Sequence, residues 1–274
     1  MAASRAPLPS PWIGVAAAML GAFGWAWTLS AARAVAGGAV SIPAFCGAWV
    51  GIAPWRDGGF DQWLLLNPPG PLAFAWLAML LAMMPPLLLQ PAAYLWQRSL
   101  SRRRWRAIGI FAAVYSALWM LAGAALLVSA LALQAAMAGR VLAAAVASIV
   151  LALLWQAAPA RQHALNRCHH QPRLSAFGWR ADRDVLRYAA SHAGWCIGAC
   201  WVWMLLPLLA GPAHLPAMLA VTCLLALERT RPARPARWRW PLQDAKTLRD
   251  MLRDTLLRPR RGRSTGFPAG TARS

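Results

Sequence analysis

Residues 190–211 read ASHAGWCIGACWVWMLLPLLAG, an uninterrupted stretch without a charged side chain and long enough to cross a bilayer as a helix. Within it His192, Cys196, Cys200 and Met204 recur at every fourth position. On an α-helix that interval advances about 6 Å and drifts about 40° per step, so the four side chains form one slowly winding stripe. Two thiols flanked by an imidazole and a thioether are soft donors, suited to Cu(I) or Zn(II) and not to Mg(II) or Ca(II). Gly194 and Gly198, between the donors, would let a second helix approach and add a ligand. The same four residues also suit an ordinary packing face, since Cys and Met fill cores well, and the spacing does not decide between the two.

Five further apolar runs lie outside this one, and together they set the class. With 59% hydrophobic residues, 13% charged residues and a mean hydropathy of +0.43, the composition is that of a polytopic membrane protein. The expected fold is all-α, a transmembrane helix bundle of about six spans (12–32, 71–96, 107–132, 141–158, 187–210 and 213–228) in a membrane domain of residues 1–228. A basic tail follows at 229–274. Residues 12–32 exceed a usual signal-peptide core and are expected to be retained as the first span. In the second run, PLAFAWLAMLLAMMPPLLLQPAAYLW at 71–96, Pro85, Pro86 and Pro91 interrupt the helix, and a kink beside Met79, Met83 and Met84 follows. Broken membrane helices tend to line sites. The runs at 107–132 and 141–158 read as scaffold.

The net charge of +20 arises from 28 basic against 8 acidic residues. Five arginines fall in 97–106, six in 159–187 and 13 basic residues in the tail, whereas Arg33, Arg56 and Arg140 lie elsewhere. Basic residues confined to alternate connections predict a membrane orientation with both termini cytoplasmic. They do not predict a nucleic-acid surface, because no separate soluble domain carries them. In the tail, 241–257 places Leu242, Ala245, Leu248, Met251, Leu252 and Leu256 on one face, a basic amphipathic helix suited to anionic lipid or a protein partner.

Other candidate donors sit in the connections. The polar loop 159–186 carries Cys168, His169 and His170, too tightly spaced for a closed tetrahedral site but suited to surface capture of a soft ion. Cys223, in the last run, is the candidate ligand from a second helix. Glu228 reads as an ion pair with Arg229 at a helix end. Cys46 stands alone in a Trp-rich interfacial stretch. Five cysteines scattered in this way form no disulfide framework, and no nucleotide loop, catalytic triad or zinc-protease helix appears, so no enzyme is expected.

LAMMPP at 81–86, QAAPARQHALNRCHH at 156–170, GWCIGACWVWM at 194–204 and AMLAVTCLLALER at 217–229 resemble a family of bacterial membrane proteins described as predicted metal-binding. That family shows an AMMxP element, a loop opening Pro-Leu-Lys with two cysteines, and a helix reading roughly GxYCxGCCWxxM. By position the resemblance implies Met83, Met84, Cys168, Cys196 and Cys200 as ligands. Ala164 and Ala199 stand where two further cysteines would be. The resulting expectation is a bacterial inner-membrane protein that binds a copper or zinc ion, copper first, and handles or delivers it. Cys196 and Cys200 are the principal ligands, His192 and Met204 extend the site, Met83 and Met84 close it, and the basic tail offers a surface for a membrane or metallochaperone partner. A structural or assembly subunit whose cysteines only pack remains the alternative.

Overall fold

The computed structural model describes residues 11–36, 68–137, 140–230 and 233–239. The Trp-rich stretch with Cys46 and the amphipathic segment 241–257 lie outside the described residues. All the regular structure described is helical: α1 (Pro11–Ala36), α2 (Pro69–Met83), α3 (Pro85–Arg98), α4 (Arg104–Ala136), α5 (Val141–Ala157), α6 (Pro159–Cys168), α7 (Gly178–Leu209) and α8 (His214–Arg229), with short 3₁₀ turns before α4 and α8. Three helices, α1, α4 and α7, are individually long and apolar enough to cross a membrane. The bent pairs α2–α3 and α5–α6 raise the number of candidate spans to as many as five. The sixth apolar run forms α8, whose 16 residues fall short of the roughly 20 that a crossing needs.

Prolines make both bends. Pro85 and Pro86 cannot donate to the carbonyls of Leu81 and Ala82, so α2 ends at Met83 and α3 leaves at 72°. Met84 is the joint: its N–H donates to Leu80 O at 2.8 Å, and its own carbonyl accepts from Leu87 and Leu88. Pro159 forces Ala158 into extended backbone (φ −71°, ψ 135°), and α6 leaves α5 at 70°.

The expected polar loop at 159–186 is therefore largely helical, a correction with an identifiable cause. Arg161, Ala164, Leu165 and Cys168 recur at i, i+3, i+4 and i+7 and bury one face of α6 against α7. The opposite face is polar enough to hide the pattern. Only residues 169–177 are irregular, because α7 begins at Gly178, well before its apolar run.

α7 is the central post. It packs along α4 and is flanked by α5, α6 and α8, while α1 rests on α2 and α3. Buried positions on α4 step by four through Ala107, Phe111, Tyr115, Trp119 and Gly123, the interval also seen on α7. The two run in the same direction, since Arg103 and Arg106 pair with Asp182 near their starts and Phe111 meets Tyr188 a few turns on. Two glycines permit the closest approaches. A Cβ at Gly24 would collide with the backbone of Leu81 and Ala82, just before the α2–α3 break, and one at Gly123 would collide with the Trp76 indole.

Candidate metal centre

Cys196 and Cys200 occupy successive turns of α7 on one face, both with no solvent exposure. The helix alone sets this proximity, because residues four apart share a face. Among the described cysteines none is in a disulfide. What surrounds the pair comes from three other helices.

From α4, the Tyr115 hydroxyl lies 3.3 Å from Cys196 Sγ and 3.4 Å from Met84 Sδ. When the hydroxyl hydrogen goes to Met84, the Cys196 thiol can donate to the tyrosine oxygen. Thioether, phenol and thiol thus form one chain of contacts from the α2–α3 break to α7. The link goes to Met84; Met83 is equally buried in the core around α2. From α8, the Arg229 guanidinium donates to Cys196 Sγ at 3.0 Å. From α6, the Cys168 thiol is buried near the same guanidinium.

One turn before the thiols, the His192 ring is enclosed by Phe111, Tyr115 and Tyr188 at centroid distances of 5.8–6.3 Å. The residue is only 3% exposed, and neither ring nitrogen has a hydrogen-bond partner among the described residues. Burying an unpaired polar group is costly, which makes these nitrogens the leading unexplained feature of the core. Met204, one turn beyond Cys200, is fully buried on the same face.

Several expectations are overturned. Cys168, His169 and His170 do not form a capture surface, because the end of α6 turns them in three directions. Cys168 points inward, His169 has its ring nitrogens 2.9 Å from Leu165 O and 3.1 Å from Arg229 O, and His170 is exposed. Cys223 is exposed on α8, so the group that helix offers to the thiols is Arg229. Glu228 does not pair with its neighbour. It accepts from the buried Arg161 and from Gln156, and Gln156 in turn accepts from Trp203 at 3.0 Å. Gly194 faces open space, and only Gly198 lies against another helix, 3.7 Å from the Ala164 side chain.

Sequence reasoning missed Tyr115 and Arg229. Tyr115 is one of three tyrosines in the chain and stands in a helix otherwise read as scaffold, which was a signal. From the sequence alone, Arg229 reads as an interfacial partner of Glu228.

Among the described residues, no three His, Cys, Asp or Glu side chains converge closely enough to hold an ion. Two adjacent thiols with a neighbouring thioether and an unpartnered imidazole nevertheless have the chemistry of a copper(I) donor set, which accepts few ligands and soft ones. They do not make a closed structural zinc site, which takes four. The residues present therefore fit copper by donor type.

No curated protein and no solved structure matches the chain. A family described as "PpoB2: Copper chaperone" matches residues 73–242, a region that runs from α2 past α8 and contains every donor described above. A match over well over half of the chain makes it a member of the PpoB2 copper chaperone family, with several candidate transmembrane helices.

Proposed function

We propose that this protein carries copper within a bacterial inner membrane and passes it to a client protein. Cys196 and Cys200 are the ligands, His192 and Met84 are the further donors we assign to the site, and Met83, Met204 and Cys168 form its outer margin. Zinc is the second ion in order. The observation that carries this reading is the convergence of the α7 thiols with the Tyr115–Met84 pair beside an imidazole that has no hydrogen-bond partner among the described residues.

Copper here is cargo. As Cu(I) binds, the two thiols lose their protons, two S–Cu bonds form and the complex carries one negative charge; apparent affinity therefore rises with pH. The surrounding side chains exclude water, which protects Cu(I) from oxidation and the thiols from disulfide exchange. A two-thiolate site leaves the ion open to attack by a client's donors, as delivery requires. The basic tail is a suitable surface for that client or for anionic lipid.

The test is elemental analysis of detergent-purified protein from cells grown with copper or with zinc. Wild type is expected to retain about one ion per chain, and Cys196→Ser/Cys200→Ser to retain none. Equal metal content in the two proteins would leave the cysteines as packing residues and return the chain to a structural role.

A further inference from the structure

The buried charge of Arg229 is not explained by the fold. Its side chain is inside the core, at 8% exposure, in a region where an uncompensated cation is costly. The other buried guanidinium nearby, Arg161, is neutralised by Glu228. Among the described residues Arg229 has no carboxylate within ion-pair distance, and what it meets is sulfur: Cys196 Sγ at 3.0 Å, with the Cys168 and Cys200 thiols close by. The remaining neighbours, Tyr115, Met84 and His192, carry no fixed negative charge. A site built in this way is one negative charge short.

We propose that Arg229 is the residue that matches the site to a monovalent ion, its positive charge balancing the single negative charge of a bis-thiolate Cu(I) complex. The inference rests on the reading that Cys196 and Cys200 carry copper, and adds how the site chooses its ion. Two thiolates with Cu(I) total minus one, and Arg229 brings the buried assembly to zero. Two thiolates with Zn(II) or Cu(II) total zero, and Arg229 then leaves one uncompensated positive charge in the core. A divalent ion would need a third thiolate, and no third cysteine, carboxylate or histidine converges with the pair among the described residues. Arg229 is suited to this task because a guanidinium stays charged when buried and can donate to sulfur without competing as a ligand. Its place is fixed at the last residue of α8, where the backbone carbonyl faces His169 Nε2 at 3.1 Å.

The experiment measures Cu(I) and Zn(II) affinities by competition with chromogenic chelators. It uses full-length protein in detergent under anaerobic conditions, comparing wild type, Arg229→Gln and Arg229→Lys. The Gln variant is expected to lose at least about a hundredfold in Cu(I) affinity, the scale set by removing one partner of a buried charge pair, and to gain in its Zn(II) to Cu(I) ratio. The Lys variant, which keeps the charge and preserves folding if Gln does not, is expected to stay within about tenfold of wild type, since it loses only the planar fork. An unchanged Cu(I) affinity in Gln, or a loss in Lys as large as in Gln, overturns charge matching while leaving the copper reading intact. Failure of wild type itself to bind Cu(I) overturns the copper reading, and charge matching with it.

Discussion

Glu228→Gln tests whether the buried polar network behind the thiols holds α5, α6, α7 and α8 together. The side chains of Arg161 and Glu228 are 3% and 4% exposed, so both are largely shielded from solvent in the folded state. Glu228 accepts on one oxygen from Arg161 and on the other from Gln156. A glutamine in its place keeps the volume but turns one acceptor into a donor, which must face either the guanidinium or the Gln156 amide. Flipping Gln156 gives no relief, because its oxygen already accepts from Trp203 at 3.0 Å. Arg161 also donates from Nε to Ala199 O at 3.2 Å, so it cannot swing away without abandoning the α7 backbone. The guanidinium stays charged, and the expected cost is about 3–5 kcal/mol, the usual penalty for leaving one member of a buried pair.

Arg161→Met should also destabilise, because it leaves the buried Glu228 carboxylate without its guanidinium. In the double variant both charges are gone, and its loss should be well below the sum of the two single losses. The assay is equilibrium unfolding in mixed dodecyl maltoside and SDS micelles, followed by the fluorescence of the 17 tryptophans. A Glu228→Gln cost under about 1 kcal/mol, the range of solvated pairs, would refute the reasoning, as would additive losses in the double variant.

Gly24→Ala should destabilise by about 1–3 kcal/mol, because the new methyl meets the backbone of Leu81 and Ala82, which cannot rotate out of the way. Gly14→Ala, where a Cβ meets nothing within 4 Å, is the matched control in the same helix and should be neutral or slightly stabilising in the same unfolding assay. Cys223→Ser should leave copper content per chain unchanged by elemental analysis, since the side chain is exposed on α8; a loss would mean that α8 contributes a thiol.

The part of this fold that was legible in the sequence is the part governed by local rules. The thiol stripe on α7 is helix periodicity, and the break at Met84 is proline chemistry; both are readable from a few consecutive residues. The hidden parts depend on which turn of one helix meets which turn of another. Tyr115 and Cys196 are 81 residues apart, and nothing in the apolar run around Tyr115 marks which face will meet α7. Arg229 and Glu228 are hidden from the sequence for a related reason. Consecutive residues on a helix point about 100° apart, so their adjacency in sequence argued against a mutual pair, and each found a partner on a different helix. Polar composition concealed α6, where a single buried face of four residues outweighs the charged remainder.

The division between local and long-range placement bears on how such a site is assembled. Two thiols on successive turns of α7 are close whenever that helix forms, with no tertiary structure needed. The side chains that tune them arrive separately: Met84 from the α2–α3 break, Tyr115 from α4, Cys168 from α6 and Arg229 from the end of α8. Each of these helices is anchored by contacts away from the thiols, including Arg161–Glu228 for α6 and α8, and the seating of Gly24 against Leu81 and Ala82 for the break. A change at those anchors should therefore alter the environment of the sulfurs without touching a ligand. Glu228→Gln is the sharpest instance, because it loosens α8 one residue before Arg229. If the guanidinium then leaves Cys196, Cu(I) affinity should fall alongside stability even though every donor atom remains. Full copper affinity in a destabilised Glu228→Gln protein would show instead that Arg229 keeps its place through its own contacts, with His169 and the sulfurs holding it.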